Sequence, residues 1–288
     1  MRKLFLAMVV LGALAVPSSA LAAPTGEYVN FAQCPLSNPA INACFYSKST
    51  GGEVTTGAKT VQVKNPQVLQ GGLDYLEEEF TGPIGFYGAA NGETLSKTPQ
   101  AVPGGLLGVT APSWWPSILR DLFNETINNG FTGVTATVEL AGPASAIKLN
   151  NGAALARVGT ALQMPVKIKL GNPFLGSNCY IGSNSNPIVW KFTTGTTSPP
   201  APNTPISGSA GTLSANAGPT ILKVTGAKLV DNSFAVPGAS GCGGILFSWA
   251  VDPLVNSIVG VPSPAGTNTA ILINNIEYGD PAAVKASE

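Results

Sequence analysis

Residues 162–197 read LQMPVKIKLGNPFLGSNCYIGSNSNPIVWKFTTGTT, and this stretch decides the fold class. Its first part alternates apolar with polar side chains, the period of two that is typical of a strand buried on one face. The apolar face comprises Met164, Val166, Ile168 and Leu170. After a turn rich in Gly, Asn, Ser and Pro, the same alternation returns at Ile188, Trp190 and Phe192. Two such segments on either side of a turn indicate core strands of a β-sheet.

The composition of the rest of the chain favours short strands. The sequence contains 34 glycines and 24 prolines, roughly a fifth of its 288 residues, so turns are frequent. Residues 132–140, TGVTATVEL, alternate strictly and predict a strand. Further strands are predicted at residues 44–47, 53–56, 60–63, 147–149, 153–158, 220–224, 227–230, 245–251 and 270–278, with an edge strand at residues 27–33. Paired glycines at residues 51–52 and the Asn-Gly step at 151–152 predict hairpin turns.

One amphipathic helix is predicted within residues 113–130, SWWPSILRDLFNETINNG. The 3.6-residue period places on one face Ile118, Leu119, Leu122, Phe123 and Ile127. We expect this face to pack on a sheet, with Trp114 and Trp115 as a buried anchor at its start. The predicted fold is therefore mostly β, with antiparallel sandwich-like sheets and one amphipathic helix packed against them.

The N-terminus has the pattern of a secretory signal peptide. Arg2 and Lys3 precede the apolar residues 4–16, and Ala20-Leu21-Ala22 forms an A-x-A cleavage site. We expect residues 1–22 to be removed, and residues 23–288 to be a single secreted β-rich domain. Within this domain the Pro-rich residues 198–205, SPPAPNTP, predict a polyproline linker or an extended strap. No second stretch is long and apolar enough to predict a membrane span.

Four cysteines in an exported chain predict two disulfide bonds. Three connectivities are conceivable, and we favour Cys34 with Cys44 and Cys179 with Cys242. A metal site is the weaker alternative, because the sequence contains no C-x-x-C pair.

Charge and composition exclude several classes of function. The sequence contains no histidine, which excludes Ser-His-Asp triads, Cys-His dyads and histidine-ligated zinc or copper sites. Removal of the signal peptide leaves 13 basic and 15 acidic residues, a net charge near −2, without a basic patch. Nucleic acid is therefore not expected as a partner, and we predict no cofactor and no metal ion.

The densest acidic run is Asp74, Glu77, Glu78 and Glu79. A calcium site is one reading of this run, but the oxygen-ligand pattern of an EF-hand loop is absent. We predict a solvated helical turn.

Two stretches carry a resemblance to a known group. Residues 171–200, GNPFLGSNCYIGSNSNPIVWKFTTGTTSPP, and residues 93–108, ETLSKTPQAVPGGLLG, resemble secreted actinobacterial proteins of unknown function. The resemblance covers most of the chain after the signal peptide. It implies export from a bacterial cell and brings no activity, cofactor or site residue with it.

Three functions remain open at this point. The first is a non-catalytic secreted protein that binds or has a structural role at the cell envelope or in the extracellular space. The second is a carrier of an apolar small molecule or lipid, with Trp114, Trp115 and Phe123 as contacts near the mouth of a cavity between sheets. The third is a glycan hydrolase that uses two carboxylates. Its candidate acids are Asp121, Glu125, Glu139, Asp252 and Glu277.

Overall fold

The computed structural model describes residues 22–75, 83–108, 110–128 and 132–288. The predicted signal peptide, apart from Ala22, and the acidic residues Glu77, Glu78 and Glu79 lie outside these residues. The described strands are β1 (Ala43–Thr56), β2 (Lys59–Gln62), β3 (Val68–Asp74), β4 (Pro83–Gly88), β5 (Gln100–Val102), β6 (Val134–Leu140), β7 (Lys148–Asn150), β8 (Leu162–Gly171), β9 (Tyr180–Ile181), β10 (Ile188–Phe192), β11 (Thr212–Ala215), β12 (Ile221–Asp231), β13 (Ala239–Ser240) and β14 (Thr269–Gly279). The described helices are α1 (Ser117–Asn128), α2 (Asn151–Ala156), α3 (Gly244–Val259) and α4 (Pro281–Ala286), with 3-10 turns at Gly26–Phe31, Gly105–Leu107 and Ala144–Ala146.

The strands form two antiparallel sheets. The first sheet has the order β11-β12-β14-β1-β3-β4, and β2 pairs with the end of β1 beyond β3. In the second sheet β8 is central, with β7 and β6 along one edge and β10 and β9 along the other. The outer strands β5 and β13 pair with β6 and β9. The mostly-β, sandwich-like fold class is therefore confirmed.

The two sheets are joined at both sides, so that strands β4 and β12 of the first sheet each contact the second sheet. On one side β4 pairs with β7. On the other side, β10 leads into an antiparallel bridge between Thr193 and Val230 of β12, and the amide of Lys191 donates to the Asp231 carboxylate at 2.6 Å. The sheets therefore enclose one interior space between them.

The predicted core strands fill this interior as expected. Burial alternates residue by residue along β8, and Met164, Val166, Ile168 and Leu170 all point inward. In β10 the side chains of Ile188, Trp190 and Phe192 are fully buried. Alternation succeeds here because both strands have one face on the core and the other on polar surroundings.

The hairpin expected at residues 51–52 is replaced by a continuous strand. β1 pairs with β14 along almost its whole length, with one register shift between Ser49 and Gly51. A Cβ atom at Gly52 would collide with the Ile271 carbonyl, so this glycine permits a close approach of two strands. The hairpin turn lies further on, at Gly57, between β1 and β2.

Two predicted strands are helices, and the edge strand predicted at residues 27–33 is mostly a 3-10 turn, Gly26–Phe31. The predicted strand at residues 153–158 lies largely in α2, together with the Asn-Gly step that was predicted as a hairpin turn. The Asn150 side chain caps α2 by accepting from the Ala153 amide at 2.8 Å. Residues 245–251 belong to α3, in which Pro253 lies inside the helix. The expectation of a single helix was thus wrong for the described residues.

Both predicted disulfide bonds are present, Cys34–Cys44 and Cys179–Cys242. The second one spans 63 residues, including the Pro-rich segment. That segment lies along the body of the protein, where the Asn203 side chain donates to the carbonyls of Asn232 and Asn268, both at 2.9 Å. Within the described part of the chain, no helix combines the length and apolar composition that crossing a membrane requires.

Candidate functional site

An apolar cavity lies in the interior between the two sheets, beside α2. Strands from both sheets supply its walls, and the segment before β11 adds Ala210. Its main apolar wall residues are Phe45, Leu69, Leu149, Leu162, Leu229 and Ile276. The cavity has a volume of about 100 Å³.

None of the described residues that line this cavity has a charged side chain. Its polar members are Ser47, Asn151, Thr194 and Tyr278. The Thr194 hydroxyl already donates to the Ala154 carbonyl at 2.6 Å. Such a site favours uncharged, apolar ligands, because the free-energy cost of burying an unpaired charge exceeds the stabilisation that apolar contacts provide.

A polar cluster borders the cavity at Asn151. The Tyr278 hydroxyl donates to Asn151 Oδ1 at 3.0 Å, and the ring of Tyr278 packs edge-on against Phe45 with centroids 5.5 Å apart. Asn151 is only 4% exposed, and its side chain also forms a hydrogen bond with Tyr75. Within the described part of the chain, the buried atoms Trp190 Nε1 and Asn232 Oδ1 have no hydrogen-bond partner, but neither residue lines the cavity.

Burial perturbs both tyrosines of this cluster. Desolvation raises the pKa of Tyr278, and the nearby Tyr75 raises it further. Desolvation also raises the pKa of Tyr75, and the side chain of Asn151 offsets part of that rise. Both hydroxyls are therefore neutral at ordinary pH and serve as hydrogen-bonding groups.

Further free space continues toward the opposite end of the interior. A small space whose lining includes Ser49 and Gln67 beside apolar side chains adjoins the cavity. A further space of about 50 Å³ is lined in part by Val61, Ile168 and Val259 of α3. The cavity at Asn151, about 100 Å³, is the larger of these two.

The predicted aromatic contacts form a separate cluster on α1. Trp114 lies 6.1 Å from Trp115, and Trp115 lies 5.5 Å from Phe123, measured between ring centroids. None of the three is among the residues that line the cavity at Asn151 or the second space. Trp114 is 80% exposed, so it is not the buried anchor that we expected.

The apolar face of α1 does not pack on a sheet either, since Ile118, Leu119 and Leu122 are exposed. A second exposed apolar surface lies on α3, where Ile245 is 99% and Trp249 79% exposed. The sequence pattern of residues 245–251 predicts a strand and therefore does not reveal this surface.

The candidate carboxylates are dispersed over the molecule. Asp121 and Glu125 lie on the exposed surface of α1. Asp252 accepts from the backbone amides of Gly241 and Cys242 at 3.2 and 2.7 Å and holds α3 against the disulfide-bonded turn. The other two are engaged as well, because Glu277 accepts from Asn30 at 2.8 Å and Glu139 accepts from the Tyr180 hydroxyl at 3.4 Å.

Among the described residues, no group of three or more His, Cys, Asp or Glu side chains is placed to hold a metal ion. No family model, curated protein or solved structure matches the chain. The site must therefore be interpreted from its own geometry. Asn151 carries no sequence signal of a site residue, because its Asn-Gly context is typical of a turn.

Proposed function

We propose that this chain is an exported, non-catalytic binding protein whose ligand is a slender apolar molecule held in the cavity at Asn151. The observation that carries the proposal is the cavity itself, a small space with a mostly apolar lining and no charged side chain among its described lining residues. Ligand sites in proteins are mostly apolar hollows with a few placed polar groups, and this cavity has that composition.

The dimensions of the cavity favour an alkyl chain over a bulky ring system. Its volume is small, about 100 Å³, and strands of both sheets form its walls. An extended hydrocarbon chain is only a few ångströms wide and contacts both walls of such a space. A fused ring system would have to push the strands apart, which close-packed interiors resist.

Export is supported by the signal-peptide pattern and by the two disulfide bonds, which are typical of proteins that fold in an oxidising compartment. A non-catalytic role is supported by the carboxylates, since Asp252 and Glu277 serve hydrogen bonds within the fold.

Native mass spectrometry of the protein purified from culture supernatant tests the proposal. We expect excess mass that disappears on denaturation, and displacement of a fluorescent apolar probe by alkyl compounds. Ala210→Leu fills the cavity and should abolish probe binding, whereas Ala282→Leu places the same side chain on the exposed surface of α4 and should leave binding intact. Equal probe binding by the two variants would contradict the proposal.

A structural role at the cell envelope is the second candidate, and the exposed apolar side chains of α3 favour it. Large exposed apolar patches mark contact surfaces for proteins or membranes. If this role holds, Trp249→Ser should shift the protein from the cell-associated fraction to the culture medium. Val29→Ser, which removes an exposed apolar side chain elsewhere, is the control and should leave the distribution unchanged.

A further inference from the structure

The solvent-facing side of α3 carries no charged residue. Successive residues of an α-helix are rotated by about 100°, so the exposed residues of α3 cover about half of its circumference. These exposed residues are Ile245, Leu246, Phe247, Trp249, Ala250, Pro253, Leu254 and Ser257. The five large apolar side chains among them, Ile245, Leu246, Phe247, Trp249 and Leu254, are called the α3 surface below.

The opposite side of α3 is fixed to the body of the protein. Val255 and Val259 are buried in the core. Asp252, the single charged residue of α3, accepts from the backbone amides of Gly241 and Cys242. Because these contacts set the orientation of the helix, the α3 surface is held toward solvent.

The α3 surface is large for a protein that acts as a monomer. Phe247 and Trp249 are 61% and 79% exposed, and Ile245 is 99% exposed. With an aromatic side chain contributing about 150–250 Å² and the aliphatic ones somewhat less, the five side chains expose roughly 700 Å². The largest apolar patch on a typical monomer is about 300–600 Å². Each partner in a stable protein–protein interface contributes about 800 Å², so the α3 surface has nearly the area that a dimer needs.

The absence of charge favours a second copy of this chain as the partner. In a symmetric dimer the same surface is used by both copies, and residues near the twofold axis face their own counterparts. A charged surface would therefore repel itself, whereas the α3 surface contains no charge that opposes this contact. Homodimer interfaces are also more apolar than other protein interfaces.

The charges nearby disfavour an anionic lipid layer as the partner. α1 packs against the turn Gly105–Leu107, and residues of this turn line a small space together with Val255 and Ile258 of α3. α1 exposes the acidic residues Asp121 and Glu125. Helices that bind lipid surfaces typically carry Lys and Arg beside their apolar face, so these acidic groups are of the opposite sign.

We propose that the α3 surface is the interface of a symmetric homodimer in which the α3 helices of two copies pack against each other. Trp249 lies midway along the exposed apolar residues 245–254 and is the central contact. The inference goes beyond ligand binding and does not depend on it, since no residue of the α3 surface lines the cavity at Asn151.

Sedimentation velocity of the secreted chain over a hundredfold range of concentration tests the proposal. We expect a species of twice the monomer mass, with a Kd of about 1 μM or tighter for an interface of this size. Trp249→Glu places a charge at the centre of the contact in both copies. It should weaken dimerisation at least thirtyfold, roughly the effect of losing a tryptophan at the centre of an interface.

Val29→Glu is the matched control, because it introduces the same charge at another exposed apolar side chain. Val29 belongs to the turn Gly26–Phe31, which contacts β1 and packs at Gly279, opposite the start of that strand. The end of α3 instead contacts Gly57, beyond the end of β1. Val29→Glu should therefore dimerise like the unmodified protein.

Hydrogen exchange of the unmodified protein locates the interface without any substitution. The backbone amides of residues 245–250 should exchange more slowly at high than at low protein concentration. The exposed edge strand β11, Thr212–Ala215, should exchange at the same rate in both samples.

Three outcomes would overturn the proposal. The first is a monomer at every concentration. The second is a dimer that Trp249→Glu leaves intact, or one that protects β11 in place of α3. The third is a monomer that co-sediments with phosphatidylcholine or phosphatidylglycerol vesicles and loses this binding in Trp249→Glu, since the α3 surface then contacts lipid. None of these results bears on the cavity, so the dimer and the proposed ligand binding can fail separately.

Discussion

Asp231 is a buried carboxylate that holds two strands together. It is 1% exposed and accepts three hydrogen bonds, from the Lys191 amide at 2.6 Å and from the Ser233 amide and hydroxyl at 3.0 and 2.8 Å. Charge-assisted bonds of this kind offset the cost of removing a carboxylate from water. Because Lys191 belongs to β10, the residue secures the side on which the two sheets meet through β12.

We expect Asp231→Ala to lower the free energy of unfolding by about 3 kcal/mol, since it leaves buried donors without an acceptor. Urea denaturation measures the change. Asp280→Ala is the control, because Asp280 caps α4 at an exposed position by accepting from the Ala283 amide at 2.9 Å. Loss of such a cap costs about 1 kcal/mol. Equal losses in the two variants would show that burial of Asp231 contributes nothing extra.

The buried tyrosines predict a loss of stability at alkaline pH. Burial raises the pKa of Tyr278 and Tyr75 above the ordinary value of 10.0. Below pH 10 both states keep the phenolic protons, so the stability is fully present. Above pH 10 the unfolded chain releases them and the folded chain does not, so the free energy of unfolding falls by up to about 1.4 kcal/mol per pH unit for each tyrosine.

Urea denaturation between pH 9 and pH 11.5 measures this slope. The double variant Tyr75→Phe with Tyr278→Phe should show a clearly smaller slope. A residual slope is expected from Tyr46 and Tyr180, whose pKa values are also raised by burial. An unchanged slope in the double variant would refute the assignment to Tyr75 and Tyr278.

At the scale of elements, the turn between β1 and β2 depends on contact with the end of α3. Gly57 has a φ of 57°, and a Cβ atom there would collide with the carbonyls of Val259 and Gly260. The neighbouring Ala58 amide donates to the Val259 carbonyl at 2.7 Å. The glycine is therefore required both by its backbone conformation and by a close approach.

We expect Gly57→Ala to destabilise the protein by more than Gly226→Ala. Gly226 also has a positive φ, 69°, but a Cβ atom there meets nothing within 4 Å. The control therefore isolates the backbone cost of about 1–2 kcal/mol, and the difference measures the collision with α3. Thermal or urea unfolding of the two variants gives both values. Identical losses would mean that the end of α3 moves aside freely.

The elements that sequence patterns predicted best are those whose environment is regular along their length. β8 and β10 have one buried face throughout, so their alternation is visible residue by residue. α3 was missed because an apolar run that contains Pro253 does not display a helical period, and because much of its apolar surface is exposed. The sequence pattern does not predict the full length of β1. The glycines of β1 pair with β14, which lies more than 200 residues away in sequence.

For the molecule as a whole, the two disulfide bonds differ in the length of chain that they close. Cys34–Cys44 spans 10 residues, whereas Cys179–Cys242 spans 63. The chain-entropy model assigns about 3 kcal/mol to the first loop and about 4 kcal/mol to the second. The second bond also anchors the turn before α3.

We expect Cys179→Ala with Cys242→Ala to lower the free energy of unfolding by about 4 kcal/mol, and Cys34→Ala with Cys44→Ala to lower it by about 3 kcal/mol. Urea denaturation of both double variants measures the order. Each pair is the control for the other, since both lose two sulfur atoms. The reverse order would show that contacts in the folded state outweigh chain entropy.

Composition and short-range sequence pattern predict four properties of this chain. These are the mostly-β class, the inward faces of β8 and β10, the preferred cysteine pairs and the absence of sites that require histidine. The closure of the two sheets, through β4 with β7 and β10 with β12, and the cavity that they enclose follow only from tertiary contacts. The same holds for the position of Asn151 beside Tyr278, 127 residues apart in sequence. The physical reason is that alternation is a local property of a strand, whereas a cavity and its polar edge arise only where distant segments meet.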